Sequence, residues 1–250
     1  FVSNPHVAGV FPDGYAHDNL DRYIDLRLNF AGRDLIGRQA ESAAATKVDS
    51  HRPRLYPGSV ELLDAWNLIA KHNAQKKPIV GYAPLMSRTN WQGRNWTLEG
   101  AQSLVKKLID NGFFVVEIGK DVPSTGLAQL DLVNQTTLRQ MFAISRHFGY
   151  FIGIDSLPFH VAQAFETPSM ILFGAVDPQS RIVNPDVTKF VRNDSLDCLG
   201  CYQKKGAMSQ NRCERGDEAC MKFIDSCAVF REFMSQVVGQ SISIRQVASA

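Results

Sequence analysis

Tyr150–Pro178, YFIGIDSLPFHVAQAFETPSMILFGAVDP, is the stretch on which the fold turns. Phe151-Ile152-Gly153-Ile154 is a short apolar run of the kind a parallel strand buried on both faces needs, and Ser169-Met170-Ile171-Leu172-Phe173 is a second. Between them, Asp155-Ser156 stands where a helix is capped. Pro158 suits the first turn because its missing N–H has no intrahelical partner to lose, and Val161, Ala162 and Phe165 form an apolar face at helical spacing. Strand, polar turn, helix, strand puts a helix N-terminus at the C-terminal end of a strand. Free backbone N–H groups and the positive end of the helix dipole favour a phosphate or carboxylate there. The cap and the His160 imidazole lie at the same end of that helix, within reach of one ligand.

Outward from this stretch the same alternation continues. Strand Pro78–Tyr82, helix Thr97–Asp110, strand Phe113–Ile118 and helix Thr137–His147 precede it, a pattern that predicts α/β architecture with a doubly wound parallel sheet. The helix from Thr97 shows the signals: an N-cap threonine, then Leu98, Ala101, Leu104, Val105 and Leu108 on one face, and Asn111-Gly112 as a left-handed stop. The polar run Lys71–Pro78 reads as a linker. It divides a poorly periodic region, with a candidate strand at Tyr23–Leu28 and a helix over Val60–Lys71, from the alternating half, which gives units of residues 1–76 and 77–250.

Composition narrows the function classes. The chain has 250 residues and 44% hydrophobic content, enough for a substantial core, and its net charge of +2 with no long basic run argues against a general nucleic-acid binder. No stretch approaches the ~18 consecutive apolar residues of a membrane span. With no signal-peptide pattern visible, a cytoplasmic location is expected, with any membrane role peripheral at its inner face. The first residue is Phe1 rather than Met, so the chain reads as a fragment.

Asp155-Ser156-Leu157-Pro158-Phe159-His160-Val161-Ala162, then Thr167-Pro168, Phe173-Gly174 and Asp177-Pro178, resembles the nucleotide-sugar signature of glycosyltransferase family 9, the heptosyltransferases of lipopolysaccharide core synthesis. The family pattern runs D-[ST]-G-x-x-H-x-A, G-T-P, F-G-x-T-D-P. Here Leu157 replaces a glycine, Glu166 stands where a glycine is common, and Val176 replaces a threonine. Leu157 places a side chain where the backbone would approach sugar or diphosphate. The loop Gly81–Trp96 resembles a segment in which a lysine two residues before a tryptophan neutralises donor phosphate. Arg94 precedes Trp96 by two and is the candidate for that charge, with Arg88 as an alternative. Asn4–Val10 and Tyr23–Leu26 resemble the family's N-terminal domain, so the resemblance implies a GT-B fold of two Rossmann-like domains, the N-terminal one incomplete. The family's catalytic base would then lie upstream of Phe1.

Cys198-x2-Cys201-x11-Cys213-x6-Cys220 resembles a metal knuckle, a tight thiol pair plus a returning pair, and Cys220-Met221 matches a similar pattern in the family. Structural zinc or iron, reduced thiols and two disulfides all fit this spacing. Cys227 lies in a helical stretch and reads as core, while Lys204, Lys205, Arg212 and Arg215 form a basic patch suited to solvent, an anionic acceptor or lipid headgroups.

The reading these features support is an inverting transfer of a sugar, heptose by resemblance, from a nucleoside diphosphate such as ADP to a lipopolysaccharide, lipid-linked or other glycan acceptor. Asp155, Ser156, Leu157, Pro158, His160 and Arg94 would form the donor site, with His160 and Arg94 meeting the departing phosphate. No metal is needed for that chemistry. A non-catalytic nucleotide or sugar-phosphate binding module with the same fold is the alternative, and a metal-stabilised interaction protein a third reading.

Overall fold

A computed structural model of the protein describes residues 53–87, 92–204 and 212–248. The candidate elements at Asn4–Val10 and Tyr23–Leu28, and Arg88 and Lys205, lie outside them. Helix α1 (Ser59–His72) leads into strand β1 (Ile79–Ala83), followed by α2 (Leu98–Asp110), β2 (Phe114–Glu117), β3 (Leu130–Asp131), α3 (Leu138–Ser145), β4 (Tyr150–Ile154), α4 (Leu157–Ala164) and β5 (Ser169–Leu172). A 3-10 turn (Pro178–Ser180), β6 (Thr188–Val191), α5 (Cys201–Lys204), α6 (Ala219–Lys222) and the long α7 (Ser226–Ala248) complete the order.

The sheet is parallel throughout, in the order β3-β2-β1-β4-β5-β6, which is the doubly wound arrangement. Its four inner strands are short apolar runs because both faces are covered. Alternate residues feed two cores: Ala83, Val116, Phe151 and Ile171 pack with residues of α1, α3 and α4, while Val80, Val115, Ile152 and Met170 pack under α2 and α7. Tyr82 and Trp96 are buried with their polar tips paired, the phenol donating to Ala101 O and the indole to Ile224 O, each at 3.0 Å. Gly81 is demanded by packing, since a Cβ there would stand 2.1 Å from the Phe148 ring.

Helix starts follow the expected chemistry. Thr97 accepts from Gly100 N–H, and Thr137 forms a reciprocal cap with Gln140. At α1, the Glu61 carboxylate turns back to accept the Gly58 N–H at 2.6 Å and receives Arg139 from α3 at 2.5 Å. Hydrogen bonds from Arg139 first, then Gly58, hold the Glu61 carboxyl down at about 2. α1 therefore belongs to the packed sheet unit, with Ala65 and Ile69 in its core, and the polar run after it is a turn inside that unit, closed by Lys77 N–H on Asn73 Oδ1.

The edges are modest. β3 has two residues, and β6 is a four-residue strand whose Lys189 and Phe190 are exposed, with the Arg192 guanidinium over the Phe190 ring. Among the described residues, no helix is long and apolar enough to cross a membrane.

Candidate functional site

Strand order reverses between β1 and β4, and the carboxyl ends of those strands are where doubly wound sheets bind ligands. Asp155 follows β4 at that point with its carboxylate turned inward, the side chain only 4% exposed. The Arg94 Nη2 lies 3.0 Å from Asp155 Oδ2 and also donates to the Asp155 carbonyl oxygen. Arg181 Nε lies 3.4 Å from the same Oδ2, and His160 Nε2 is 3.7 Å from Oδ1.

Burial pushes the Asp155 carboxyl up, but the neighbouring His160 ring and the Arg94 and Arg181 charges outweigh it and hold the group below the usual aspartate value. Burial pulls the Arg94 guanidinium down, Asp155 opposes that, and Arg181 adds to it. Two guanidiniums thus share one buried carboxylate, and the trio carries an excess positive charge at the edge of the sheet.

The start of α4 is built as the sequence predicts in one respect and differs in another. Pro158 occupies the first turn and Ser156 the N-cap position, but no side chain caps the helix: the Ser156 hydroxyl donates to Ile154 O at 3.3 Å. Leu157, the first helical residue, is 52% exposed and stands beside the charged cluster's helix end rather than in the core. His160 is one-third exposed.

Arg181 and Gln163 are the residues that sequence reasoning misses. Gln163 is buried, its Oε1 accepting Val183 N–H at 2.7 Å while Nε2 donates to Arg181 O at 3.0 Å and lies 3.4 Å from His160 Nδ1. It therefore fixes both the ring and the main chain that carries Arg181. The available signal was the Asp177-Pro178 turn, which follows β5 at the same sheet edge and places a basic residue just beyond it; Asp177 Oδ1 accepts Gln179 N–H at 3.1 Å.

Cys198, Cys201, Cys213 and Cys220 line one cavity, shared with Arg94 and Tyr202. Burial first, then the neighbouring thiols of Cys213, Cys201 and Cys198, push the Cys220 thiol up to about 12. All five cysteines are free thiols in this structure, the form that the reduced reading expects. Among the described residues, no three Cys, His, Asp or Glu side chains stand together at ligand positions for an ion. Cys227 is exposed on α7, contrary to its reading as core, because that turn of the helix faces away from the sheet that Val229 and Phe233 meet. In the basic patch, Arg215 pairs with Asp217 at 3.0 Å.

Residues 42–210 match the model of glycosyltransferase family 9 (heptosyltransferase). Lipopolysaccharide heptosyltransferase 3 of Escherichia coli K12 is 44% identical over 55 residues, 22% of this chain and 14% of that protein. Among solved structures, the family 9 glycosyltransferase from Veillonella parvula DSM 2008 is 14% identical with a TM-score of 0.64, over 85% of this chain and 62% of that one. The E. coli ADP-heptose lipopolysaccharide heptosyltransferase II is 18% identical with a TM-score of 0.56, over 76% and 54%. The dodecameric iron-containing heptosyltransferase TibC, in complex with ADP-D-beta-D-heptose, is 18% identical with a TM-score of 0.55, over 78% and 50%. The chain thus spans less than two thirds of the length of each of these proteins. The structural likeness is one of fold, the α/β fold of GT-B type expected from the signature stretch. With the family model matching well over half of its length, the chain belongs to glycosyltransferase family 9, the heptosyltransferases.

Proposed function

We propose that the β1/β4 edge binds a nucleoside diphosphate sugar, ADP-heptose by family, and that the protein transfers the sugar with inversion to a lipopolysaccharide or related glycan acceptor. The observation that carries this reading is the Arg94–Asp155–Arg181 cluster, two cations on one buried carboxylate at the sheet's switch point. When the glycosidic bond breaks, negative charge gathers on the leaving phosphate. Arg94 and Arg181 face that charge as planar forks, His160 adds a ring N–H, and the α4 N-terminus at Ser156, Leu157 and Pro158 adds its dipole. Asp155 acts from behind, orienting both guanidiniums and the His160 ring. With fixed cations supplying the charge, transfer needs no divalent metal in this reading.

Arg94→Ala and His160→Ala are each expected to weaken ADP binding by about 1–3 kcal/mol, the usual loss for a hydrogen bond to a charged group. Calorimetric titration with ADP reads this directly, and unchanged affinity in both variants would sink the donor-site reading. The alternative, a binding module without turnover, draws on Leu157, whose half-exposed side chain stands at the helix end where the family carries glycine. Release of ADP from ADP-heptose in the presence of a lipopolysaccharide-core acceptor separates the two.

Cys198, Cys201, Cys213 and Cys220 line one cavity without standing together at ligand positions, so zinc or iron held by them would have to draw the four thiols closer on binding, ordering their segment as it did so. Contact of the basic face with anionic lipid, at the inner side of the cytoplasmic membrane, belongs to the same proposal.

A further inference from the structure

The cysteine segment, Cys198–Ile224, does more than border the charged cluster. Its contacts converge on the stretch that carries Arg94. Gly93 N–H donates to Glu218 Oε2 at 2.7 Å, Cys213 N–H donates to Gln92 Oε1 at 2.7 Å, and the Trp96 indole donates to Ile224 O at 3.0 Å. The Gly93 carbonyl accepts Ala175 N–H at 3.0 Å and has Cys220 Sγ 3.9 Å away. The residue just before Arg94 is therefore gripped at both its N–H and its C=O.

The fit is close. Gly93 is left-handed, φ +74°, and a Cβ there would stand 3.3 Å from Cys220 Sγ; a Cβ on Gly174, behind it, would stand 2.8 Å from the same sulfur and from Gly93 O. Glu218 is itself left-handed, φ 52°, an uncommon conformation for a residue with a side chain. It is the N-cap residue of α6, and its other carboxylate oxygen is 3.2 Å from Lys222 Nζ. A strained backbone thus points one carboxylate at one amide, one residue from the guanidinium that meets Asp155.

We propose that Glu218 is a positioning residue for the donor site: through the Gly93 amide it sets the height and direction of Arg94, and so couples the cysteine segment to diphosphate affinity. This rests on the reading that Arg94 meets the diphosphate. Glu218 touches no phosphate itself, so its whole effect runs through Arg94.

The test is a double-mutant cycle on the 250-residue chain with ADP as probe, read by calorimetry. Glu218→Ala is expected to weaken ADP binding by about tenfold, the equivalent of one hydrogen bond to a charged group, and Glu218→Gln to stay within about threefold, since the amide oxygen still accepts. In an Arg94→Ala background, Glu218→Ala should cost nothing further. A Glu218→Ala protein that binds ADP as the parent does, or one whose loss adds in full to that of Arg94→Ala, overturns the proposal. An Arg94→Ala protein with undiminished affinity overturns the diphosphate reading beneath it, and this proposal with it. Should Glu218→Ala fail to fold, Glu218→Asp, which ends one methylene short of Gly93, carries the same cycle.

Discussion

Asp155 is unusual for what surrounds it. A carboxylate 4% exposed would ordinarily resist ionisation, yet it sits against two arginines and a histidine, and its ionised form is the favoured one. Replacing it with Asn keeps the volume and leaves both guanidiniums without their shared anion, so Asp155→Asn should cost about 3–5 kcal/mol of unfolding free energy, as breaking a buried pair does. Because the folded-state value lies below the unfolded one, about 3.9, the stabilisation is fully present above pH ~4 and is lost as pH falls through the folded-state value. Denaturant unfolding followed from pH 7 downward should therefore show the parent losing its advantage over Asp155→Asn only in the acid range; a constant gap down to the lowest pH would contradict the assignment. Asp155 and His160 could be paired from their spacing at one helix end, whereas Arg94 came in only through the resemblance of its loop, and the structure sets His160 and Arg94 both beside the Asp155 carboxylate. Arg181 was not legible, since its contact with Asp155 depends on where the turn after β5 releases the chain, and no local periodicity encodes that.

At the scale of elements, burial made some legible and exposure hid others. β1, β2, β4 and β5 were recovered within a residue or so because strands covered on both faces must be continuous apolar runs, and α2 because Thr97 and Asn111 mark its ends. β6 reads Thr-Lys-Phe-Val, an edge strand with two exposed positions, and β3 is too short to carry any pattern. The junction of the Phe173–Val176 turn with α6 is a packing decision of the same kind. A Cβ on Gly174 would lie 2.7 Å from Met221 Cγ and 2.8 Å from Gly93 O, a backbone atom with little room to yield. Gly174→Ala is accordingly expected to destabilise by about 1–3 kcal/mol through overpacking. Urea denaturation with an unchanged midpoint would show that α6 is free to slide.

Across the whole molecule, the cysteine segment reaches back over 100 residues in sequence to the loop before α2, so its own stability should be felt at the sheet edge. If the thiols hold an ion, elemental analysis of purified protein should find close to one zinc or iron per chain, lost in Cys198→Ser but kept in Cys227→Ser, whose thiol is out on α7. Metal-free protein with four freely titrating thiols would leave an ordinary reduced segment. The four cysteines that the spacing groups do line one cavity, and nothing in that spacing disclosed that Arg94 lines it too. The edge strands bear on a different property. A parallel sheet that ends in a two-residue strand on one side and a four-residue strand bearing Lys189 on the other offers a newcomer very little unpaired backbone to zip onto. Among the described residues, the sheet thus leaves one chain little edge along which to add itself to another.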